Sequence, residues 1–414
     1  MRTERLAPSR WLWVEVLASV AMTCVLAGVR LASTGPATVT SGRVAIRVPC
    51  DDAAACALAE SLADDVWSEP RGPRDPLDVV VAREDLGRMV AAGVPFDVLV
   101  PDVDAVARAE HLRLHDPRAA QPADWFAEYR DYRAITSRIH ELAAMTPERA
   151  AVRPIGSTLE GRTLWALRIG GRSPDAMPML ITGTQHAREW IAAMATTCVA
   201  DRLVRDYDRD PEIRAFVDST ELWIIPVVNP DGYQYSWATD RYWRKNRRGG
   251  HGVDLNRNYA VAWGGAGSSA NKSSQVYRGE RAFSEVESSA VRDLAKRAQV
   301  SRHLDFHSYG QLVMYPWLYT ATPAKDRARY AAIGDRIASA MFARHETRYR
   351  LISGVESSPT AGTLTDWMYG EGGALSYTIE LRPRGGSGFV LPPEEIRPTC
   401  DEALAAVLAF RAAK

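Results

Sequence analysis

The stretch Met179-Leu-Ile-Thr-Gly-Thr-Gln-His-Ala-Arg-Glu-Trp-Ile191 joins a short, mostly apolar run to an amphipathic one. The run at residues 179–182 predicts a buried strand, and residues 189–207 carry apolar side chains at the helical period. A buried strand followed at once by a helix is the repeating unit of an α/β sheet. The apolar face of that helix consists of Ile191, Met194, Ala195, Cys198, Val199 and Leu203.

The same alternation of strands and amphipathic helices continues to the end of the chain. We therefore predict one α/β domain over residues 124–414, with a largely parallel or mixed sheet flanked by helices. Further strands are predicted at 222–228, 302–306, 312–315 and 375–381, and helices at 327–345 and 394–412.

A shorter segment upstream has a rhythm of its own. Residues 43–110 alternate three strands with three helices, which indicates a small α+β domain. The strands are predicted at 44–48, 77–81 and 96–100, and the helices at 54–65, 85–92 and 103–110. Residues 111–123 contain Asp-Pro-Arg and Gln-Pro-Ala-Asp without any period, so we assign them to a linker.

The first forty residues resemble a targeting segment. Three arginines precede an apolar run over residues 11–29, which is typical of a secretory signal or an anchor. Small residues at 32–37 supply a cleavage site, whereas Arg30 and the length of the run favour retention. We expect an exported chain with a cleaved leader, and membrane attachment through residues 1–40 is the alternative.

Overall charge excludes one class of partner. Lys plus Arg and Asp plus Glu both number 51 in the 414 residues, so the chain has no net field to attract nucleic acid. The cluster of basic residues at 241–248 is too isolated to change that conclusion. We therefore look for function in a localised site and expect no nucleic-acid partner.

Four cysteines lie outside the leader, and they can pair in an oxidising compartment. Cys50 with Cys56 is the local candidate for a disulfide. Cys198 with Cys400 is a second possible pair, but Cys198 lies on the apolar face of a predicted helix, where an unpaired buried thiol is an equal alternative.

Three side chains near the ends of predicted strands form a candidate metal site. His186 and Glu189 are three residues apart at a loop-to-helix junction, so both can reach one ion. The third ligand would be His307, which follows the strand at 302–306. Two histidines and a glutamate are a typical ligand set for catalytic zinc, with a fourth position left for water. The His-x-x-Glu pair alone is a weak signal, because a helix start with a solvated glutamate has the same pattern.

A series of motifs resembles the metallocarboxypeptidases related to pancreatic carboxypeptidases A and B. The motifs follow one another in register over nearly 290 residues: His186-Ala-Arg-Glu-Trp-Ile191, Asn229-Pro-Asp-Gly-Tyr233, Trp243-Arg-Lys-Asn-Arg247, Gly252-Val-Asp-Leu-Asn-Arg-Asn258, His307-Ser-Tyr309, Asp366-Trp367 and Glu380-Leu-Arg382. The upstream segment, with Asp65-Val-Trp67, is similar to the inhibitory pro-domain of this family. The resemblance implies a zymogen with a central mixed sheet and one zinc ion per chain.

The resemblance also assigns roles to individual residues. Glu380 matches the general base, and it shares a strand face with Ser376 and Thr378, away from the apolar side. Arg247 matches the residue that stabilises the developing oxyanion. A planar carboxylate suits the guanidinium fork, and the residues matched to substrate binding are Asn256 and Arg257, which grip the terminal carboxylate, with Arg188 as a further contact.

Two positions depart from the family pattern. Ser358 stands eight residues before Asp366, where the family has a tyrosine that closes over the substrate. His251 stands where the animal enzymes have a cysteine. The tyrosine that would close over the substrate is therefore missing at this position, while the metal, base and carboxylate-binding positions are all retained.

The pocket for the C-terminal side chain is expected to be neutral. In the resembling family its base is set by the residue before the Asp-Trp pair, which is Thr365 here. The other expected lining positions include no carboxylate, and they are Leu318, Ser353, Ser357, Thr360 and Thr363. We predict a preference for neutral or apolar C-terminal residues, which a shift of Glu356 into the pocket would reverse.

These features lead to one functional prediction and two alternatives. We predict a secreted, zinc-dependent carboxypeptidase that acts on peptide or protein C-termini after a protease cuts within residues 111–123. An amidohydrolase acting on peptidoglycan stem peptides would use the same metal site, but the carboxylate-binding pair favours the exopeptidase. A catalytically silent binding protein would normally have lost a ligand or the base, and none is lost.

Overall fold

A computed structural model describes residues 42–68, 72, 75–116, 123–171 and 173–413. Among these residues, no helix has the length and apolar character needed to cross a bilayer. The predicted leader at residues 1–40 lies outside the described part of the chain.

The N-terminal module is a four-stranded antiparallel sheet with three helices. Its elements are β1 (Arg43–Val48), α1 (Ala53–Leu62), β2 (Ala63–Val66), β3 (Leu77–Ala82), α2 (Leu86–Ala91), β4 (Asp97–Val100) and α3 (Val103–Leu114), with strand order β2-β3-β1-β4. One face packs its valines against α1 and α2, and the other faces the large domain. Asp52 and Asp102 cap α1 and α3 by accepting hydrogen bonds from the first turn.

Two boundaries of the module differ from the sequence-based assignment. The helix predicted over residues 54–65 ends at Leu62, and the chain turns directly into β2. The helix predicted to stop at residue 110 continues to Leu114, because the aperiodic, proline-containing stretch begins only after it. The first four residues of the predicted linker are therefore helical, and residues 117–122 of it lie outside the described part.

The large domain is built on a mixed sheet, as the sequence predicts, and this sheet has eight strands. Its strands are β5 (Ala150–Ser157), β6 (Thr163–Gly170), β7 (Met177–Gly183), β8 (Thr220–Ile225), β9 (Arg302–Ser308), β10 (Leu312–Met314), β11 (Arg350–Ile352) and β12 (Leu375–Leu381). They lie in the order β11-β10-β12-β9-β7-β8-β6-β5. The central strands β12, β9, β7 and β8 run parallel, and the remaining pairs are antiparallel except for β10 with β11.

Helices cover both faces of this sheet. They are α4 (Tyr132–Met145), α5 (Trp190–Arg205), α6 (Pro211–Asp218), α7 (Pro230–Ala238), α8 (Val286–Arg297), α9 (Arg327–His345), α10 (Leu364–Gly370) and α11 (Ile396–Ala412). The larger core lies between the sheet and α4, α5, α6, α9 and α11, and the smaller core lies under α8 and α10.

Sequence-based boundaries in the large domain match closely where the pattern was strong. β12 and α9 have the predicted ends, whereas β8 stops at Ile225 because Pro226 has no N–H to donate to a sheet. Strands β5 and β6 were not predicted from the sequence. They form an edge hairpin with mixed burial, which weakens the alternation that identifies a strand.

Both candidate cysteine pairs are disulfide-bonded. Cys50 and Cys56 close a short loop in the module, and Cys198 on α5 is bonded to Cys400 on α11. The alternative of a free thiol at Cys198 is therefore wrong, because the crossing of α5 and α11 brings the two Cα atoms to 5.8 Å.

Candidate metal centre and catalytic cleft

The three predicted metal ligands meet at the carboxyl ends of two neighbouring strands. His186 and Glu189 lie between β7 and α5. His307 is the residue before the last one of β9. One possible ligand atom from each lies within 4.8 Å of the others, and all three residues are buried. At the end of β7, a Cβ on Gly183 would lie 2.4 Å from Thr196 Oγ1, so glycine allows α5 to approach the strand closely.

Both histidines present the same ring nitrogen to the centre of this cluster. His186 Nδ1 lies 2.8 Å from Glu189 Oε1, and His307 Nδ1 lies 3.1 Å from Glu189 Oε2 and 3.2 Å from His186 Nδ1. Burial acts to raise the pKa of Glu189, but the two histidines lower it to about 2. An ionised carboxylate and two imidazole nitrogens facing one point are the donor set of a catalytic zinc site, so these residues fit the metal.

The opposite nitrogen of each histidine contacts a buried carboxylate. His186 Nε2 lies 3.1 Å from Asp254 Oδ1, and His307 Nε2 lies 2.9 Å from Asp305 Oδ2. Such contacts orient a metal-binding imidazole. Burial acts to raise the pKa of Asp254, but Arg244, Arg257 and His186 hold it well below its ordinary value.

Glu380 lies on the same face of the sheet as His307. The parallel pairing of β12 with β9 puts the two residues directly opposite each other, and Glu380 is only 3% exposed. Side chains of directly paired residues project to one side of a sheet. The structure thus brings the predicted base beside the predicted metal ligands.

Asn256 and Arg257 lie in a 3₁₀ turn that follows Asp254. The Asn256 Oδ1 accepts a hydrogen bond from the backbone N–H of Leu364 at 2.9 Å, and the Arg257 Nε donates to the carbonyl of Gly267 at 2.8 Å. Both side chains are buried, and the Arg257 charge acts on Asp254. The pair is therefore held rigidly on the side of the cluster that carries Asp254.

Arg244 is a buried residue beside the cluster that the sequence analysis did not single out. Its Nε and Nη2 donate to Asp254 Oδ2 at 3.1 and 3.0 Å, so it shares a carboxylate with His186. Its charge also acts on Asp65 of the N-terminal module, which places the guanidinium between metal ligands and module. Its position beside Trp243 in an arginine-rich block was the only available signal.

Arg247 has different neighbours in the structure. Its guanidinium lies over the Tyr235 ring at 3.6 Å and the Trp243 ring at 4.5 Å, and its Nε is 3.7 Å from Glu160 Oε1. Stacking on two aromatic rings is a favourable setting for a guanidinium. These contacts do not join Arg247 to the three-ligand cluster within the described chain.

Thr365 is buried at the start of α10, and its hydroxyl is 2.6 Å from that of Thr378 on β12. The nearby carboxylate of Glu356 is occupied elsewhere, since Oε2 accepts from the Ser353 N–H and hydroxyl and Oε1 pairs with Arg327. A hydroxyl pair therefore stands where the sequence predicts the base of the side-chain pocket.

Arg188 is covered by the N-terminal module. Its Nη1 donates to Asp65 Oδ2 and its Nη2 to the Val66 carbonyl, while the Trp67 indole N–H donates to the same Asp65 oxygen. Burial raises the pKa of Asp65, and the charges of Arg188 and Arg244 act against that rise. The Asp65 carboxylate of β2 is thus hydrogen-bonded to the Arg188 guanidinium, which the sequence analysis assigns to substrate binding.

Three further contacts fasten the module to the large domain. Glu110 on α3 forms a buried ion pair with Arg241, and the Tyr309 hydroxyl donates to Asp78 at 2.8 Å. The Trp67 ring stacks on Tyr242 with centroids 5.1 Å apart. The interface is therefore polar at several points and aromatic between them.

Comparison with known proteins identifies the family to which this chain belongs. Residues 135–406 match the family described as zinc carboxypeptidase. A carboxypeptidase B from Astacus astacus is 38% identical over 289 residues, which are 67% of this chain and 94% of that protein. A metallocarboxypeptidase A from Arthroderma otae is 32% identical over 397 residues, covering 89% of this chain and 92% of that protein.

A solved structure matches both parts of the chain. The crystal structure of thrombin activatable fibrinolysis inhibitor has a TM-score of 0.80 and 30% identity, and it covers 89% of this chain and 97% of that one. The chain belongs to the zinc carboxypeptidase family. It is therefore a metallocarboxypeptidase, a hydrolase of the class that acts on peptide C-termini.

Proposed function

We propose that this enzyme holds one zinc ion through His186, Glu189 and His307 and uses Glu380 as general base at the C-terminal peptide bond. The observation that carries the proposal is the buried three-ligand cluster with Glu380 directly opposite His307 in the sheet. Zinc, when bound, supplies Lewis acidity toward the scissile carbonyl and the attacking water.

Glu380 is the proposed proton-transfer group because it lies opposite the ligand His307 in the sheet. Its carboxylate takes a proton from the water that attacks the carbonyl and delivers it to the nitrogen of the departing amino acid.

The cationic and amide groups around the cluster orient the substrate. Asn256 and Arg257 are held by backbone contacts, so they offer a fixed fork for the terminal carboxylate. Arg188 is proposed as a further contact. The sequence favours Arg247 for stabilising the oxyanion, but the shared carboxylate with His186 favours Arg244 for that role.

We further infer that the enzyme is made as a zymogen. Asp65 already occupies Arg188, so the module competes with substrate for the same guanidinium. A protease that cuts within residues 111–123 would separate the module from the large domain. The neighbour named thrombin activatable fibrinolysis inhibitor covers 89% of this chain, which supports a corresponding activation step here.

Export from the cell is part of the same proposal. Disulfides form and persist mainly in oxidising compartments, and both parts of the chain contain one. Retention of residues 1–40 as an anchor remains the alternative to cleavage.

The pocket at Thr365 supports a preference for neutral C-terminal residues. A Lys or Arg head group would lose water there without gaining an anion, because Glu356 is already paired with Arg327. Hydroxyl-lined walls also make apolar discrimination shallow, since each methylene is worth about 1–3 kcal/mol.

One experiment tests the activity and the preference together. Metal analysis of the processed large domain should give one zinc per chain, and blocked Phe-Phe and Phe-Leu should be cleaved with higher kcat/KM than Phe-Lys and Phe-Arg. His186→Ala should lose zinc and activity together. Stoichiometric zinc in that variant would refute the ligand assignment, and a clear preference for Lys or Arg would refute the pocket assignment.

A further inference from the structure

The ligand His307 is the last member of a buried row of polar residues, and the proposed reaction does not use the other members. His303, Asp305 and His307 alternate along β9 and so project from the same face of the sheet. The neighbouring strands place Thr182 opposite Asp305 and Ser376 opposite His303. All five side chains are buried, so every polar atom among them needs a partner within the protein.

Asp305 lies at the centre of this row. Its Oδ1 accepts from the Thr182 hydroxyl at 2.6 Å, and its Oδ2 accepts from the Gln185 amide at 2.5 Å. His307 Nε2 also contacts Oδ2, at 2.9 Å. Three donors from two strands and the ligand loop thus converge on one carboxylate.

The direction of each hydrogen bond follows from the available protons. Thr182 has one hydroxyl proton, which it gives to Asp305, so it must accept from His303 Nε2 at 2.9 Å. His303 Nδ1 is then left to accept from the Ser376 hydroxyl at 2.8 Å. Every donor in the row has an acceptor, and the row ends with Asp305 accepting only.

We propose that Asp305 is a positioning residue for the metal: it holds the proton of His307 on Nε2 and thereby keeps Nδ1 free as a ligand. This proposal rests on the zinc site proposed above and extends it to a second buried layer. A carboxylate behind a ligating imidazole fixes the ring and raises its basicity, and losing such a partner costs about 10- to 100-fold in metal affinity.

The hydrogen bonds that Asp305 accepts give it a second function, which is to hold the loop that carries His186. Thr182 and Gln185 prevent the carboxylate from rotating, and Gln185 directly precedes His186 in the chain. The same carboxylate therefore orients His307 and tethers the loop that carries His186. Asp254, by comparison, contacts His186, Arg244 and the backbone N–H of Asn256.

The test is a measurement of zinc affinity by competition with a chelator, using the full chain and its variants. Asp305→Asn should weaken zinc binding about 10- to 100-fold. Thr182→Val, which removes one donor to Asp305, should weaken it less. Ser376→Ala is the matched control, because it breaks the far end of the row and leaves Asp305 and its donors in place. Its zinc affinity should equal that of the wild type.

The thermal midpoint of the zinc-free protein separates positioning from simple stabilisation. A purely structural role would lower that midpoint in Asp305→Asn while leaving zinc affinity unchanged, and this result would overturn the proposal. If Asp305→Asn does not fold, Thr182→Val decides by the same pair of measurements, and failure of both to fold also counts against a positioning role. If His186→Ala keeps its zinc, the proposed zinc site is wrong. If His186→Ala loses zinc but Asp305→Asn binds it with wild-type affinity, the zinc site stands and the role of Asp305 is refuted.

Discussion

The two sheets of this molecule both bury acidic side chains on one face, but they meet different partners. In the large sheet, Asp305 contacts a histidine and two neutral donors of its own domain. In the small sheet, Asp65 contacts Arg188 of the large domain, and Asp78 contacts Tyr309 of the large domain in addition to Arg47 of its own module. A buried carboxylate is costly unless it is paired. The comparison teaches that acidic residues on a buried sheet face mark either a cation site or a domain boundary.

The largest expected effect is a loss of turnover when Glu380 on the large sheet is replaced. Glu380→Gln preserves shape but removes the proton acceptor, so kcat should fall by about 10²–10⁴-fold or more. Zinc content should stay at one per chain, because the three ligands are unchanged. Steady-state kinetics with a blocked dipeptide, together with metal analysis, measures both. Near-normal turnover would show that another group is the base.

A second experiment tests whether Thr365 determines which C-terminal side chain the large domain prefers. Thr365→Asp should raise kcat/KM for blocked Phe-Lys relative to Phe-Phe by about 10- to 100-fold, because the new carboxylate pairs with a cation that otherwise loses its water. Thr365→Asn has nearly the same shape without the charge, and it should leave the ratio close to wild type. Equal changes in both variants would mean that charge in this position does not select the substrate.

The small sheet has a corresponding test at its boundary. Asp65→Asn removes the charge that covers Arg188, and hydrogen bonds to charged groups contribute about 1.5–3 kcal/mol. We expect the uncut chain to gain about tenfold in activity on a small substrate, while the protein cut in the linker is unaffected. Asp104→Asn is the control, since its partner Arg43 belongs to the same module. Full activity of the uncut wild type would contradict the zymogen proposal.

Much of the catalytic layout could be predicted from the sequence because the ligands lie at or close to the ends of strands that could be predicted. His186, Glu189 and His307 came together as expected. Asp305 was not recognised, because a lone acidic residue within a strand has no pattern of its own until the neighbouring strand is known. Hydrogen-bond partners such as Thr182 are decided by strand order, which periodicity does not provide.

The module shows the same limit at its boundary. Its alternation of strands and helices could be seen in the sequence, but β2 was assigned to the preceding helix because no turn residue separates Leu62 from Ala63. The pairing of Asp65 with Arg188 joins residues 123 positions apart. Contacts of that kind depend on how two folded parts dock, and no local pattern contains that information.

The smallest expected effect on catalysis concerns the two disulfides, one in each part. Cys198 and Cys400 are separated by 202 residues, whereas Cys50 and Cys56 are separated by only 6. In the chain-entropy description, a longer closed loop restricts the unfolded chain more, which gives the long bridge an advantage of about 3 kcal/mol in the free energy of unfolding. The urea midpoint of the variant Cys198→Ala/Cys400→Ala should therefore be well below the urea midpoint of the variant Cys50→Ala/Cys56→Ala. Both variants should retain kcat/KM after linker cleavage under native conditions, because neither bridge touches the three ligands or Glu380. A greater loss of stability from the short bridge would show that packing around α1, and not loop closure, determines what these bonds contribute.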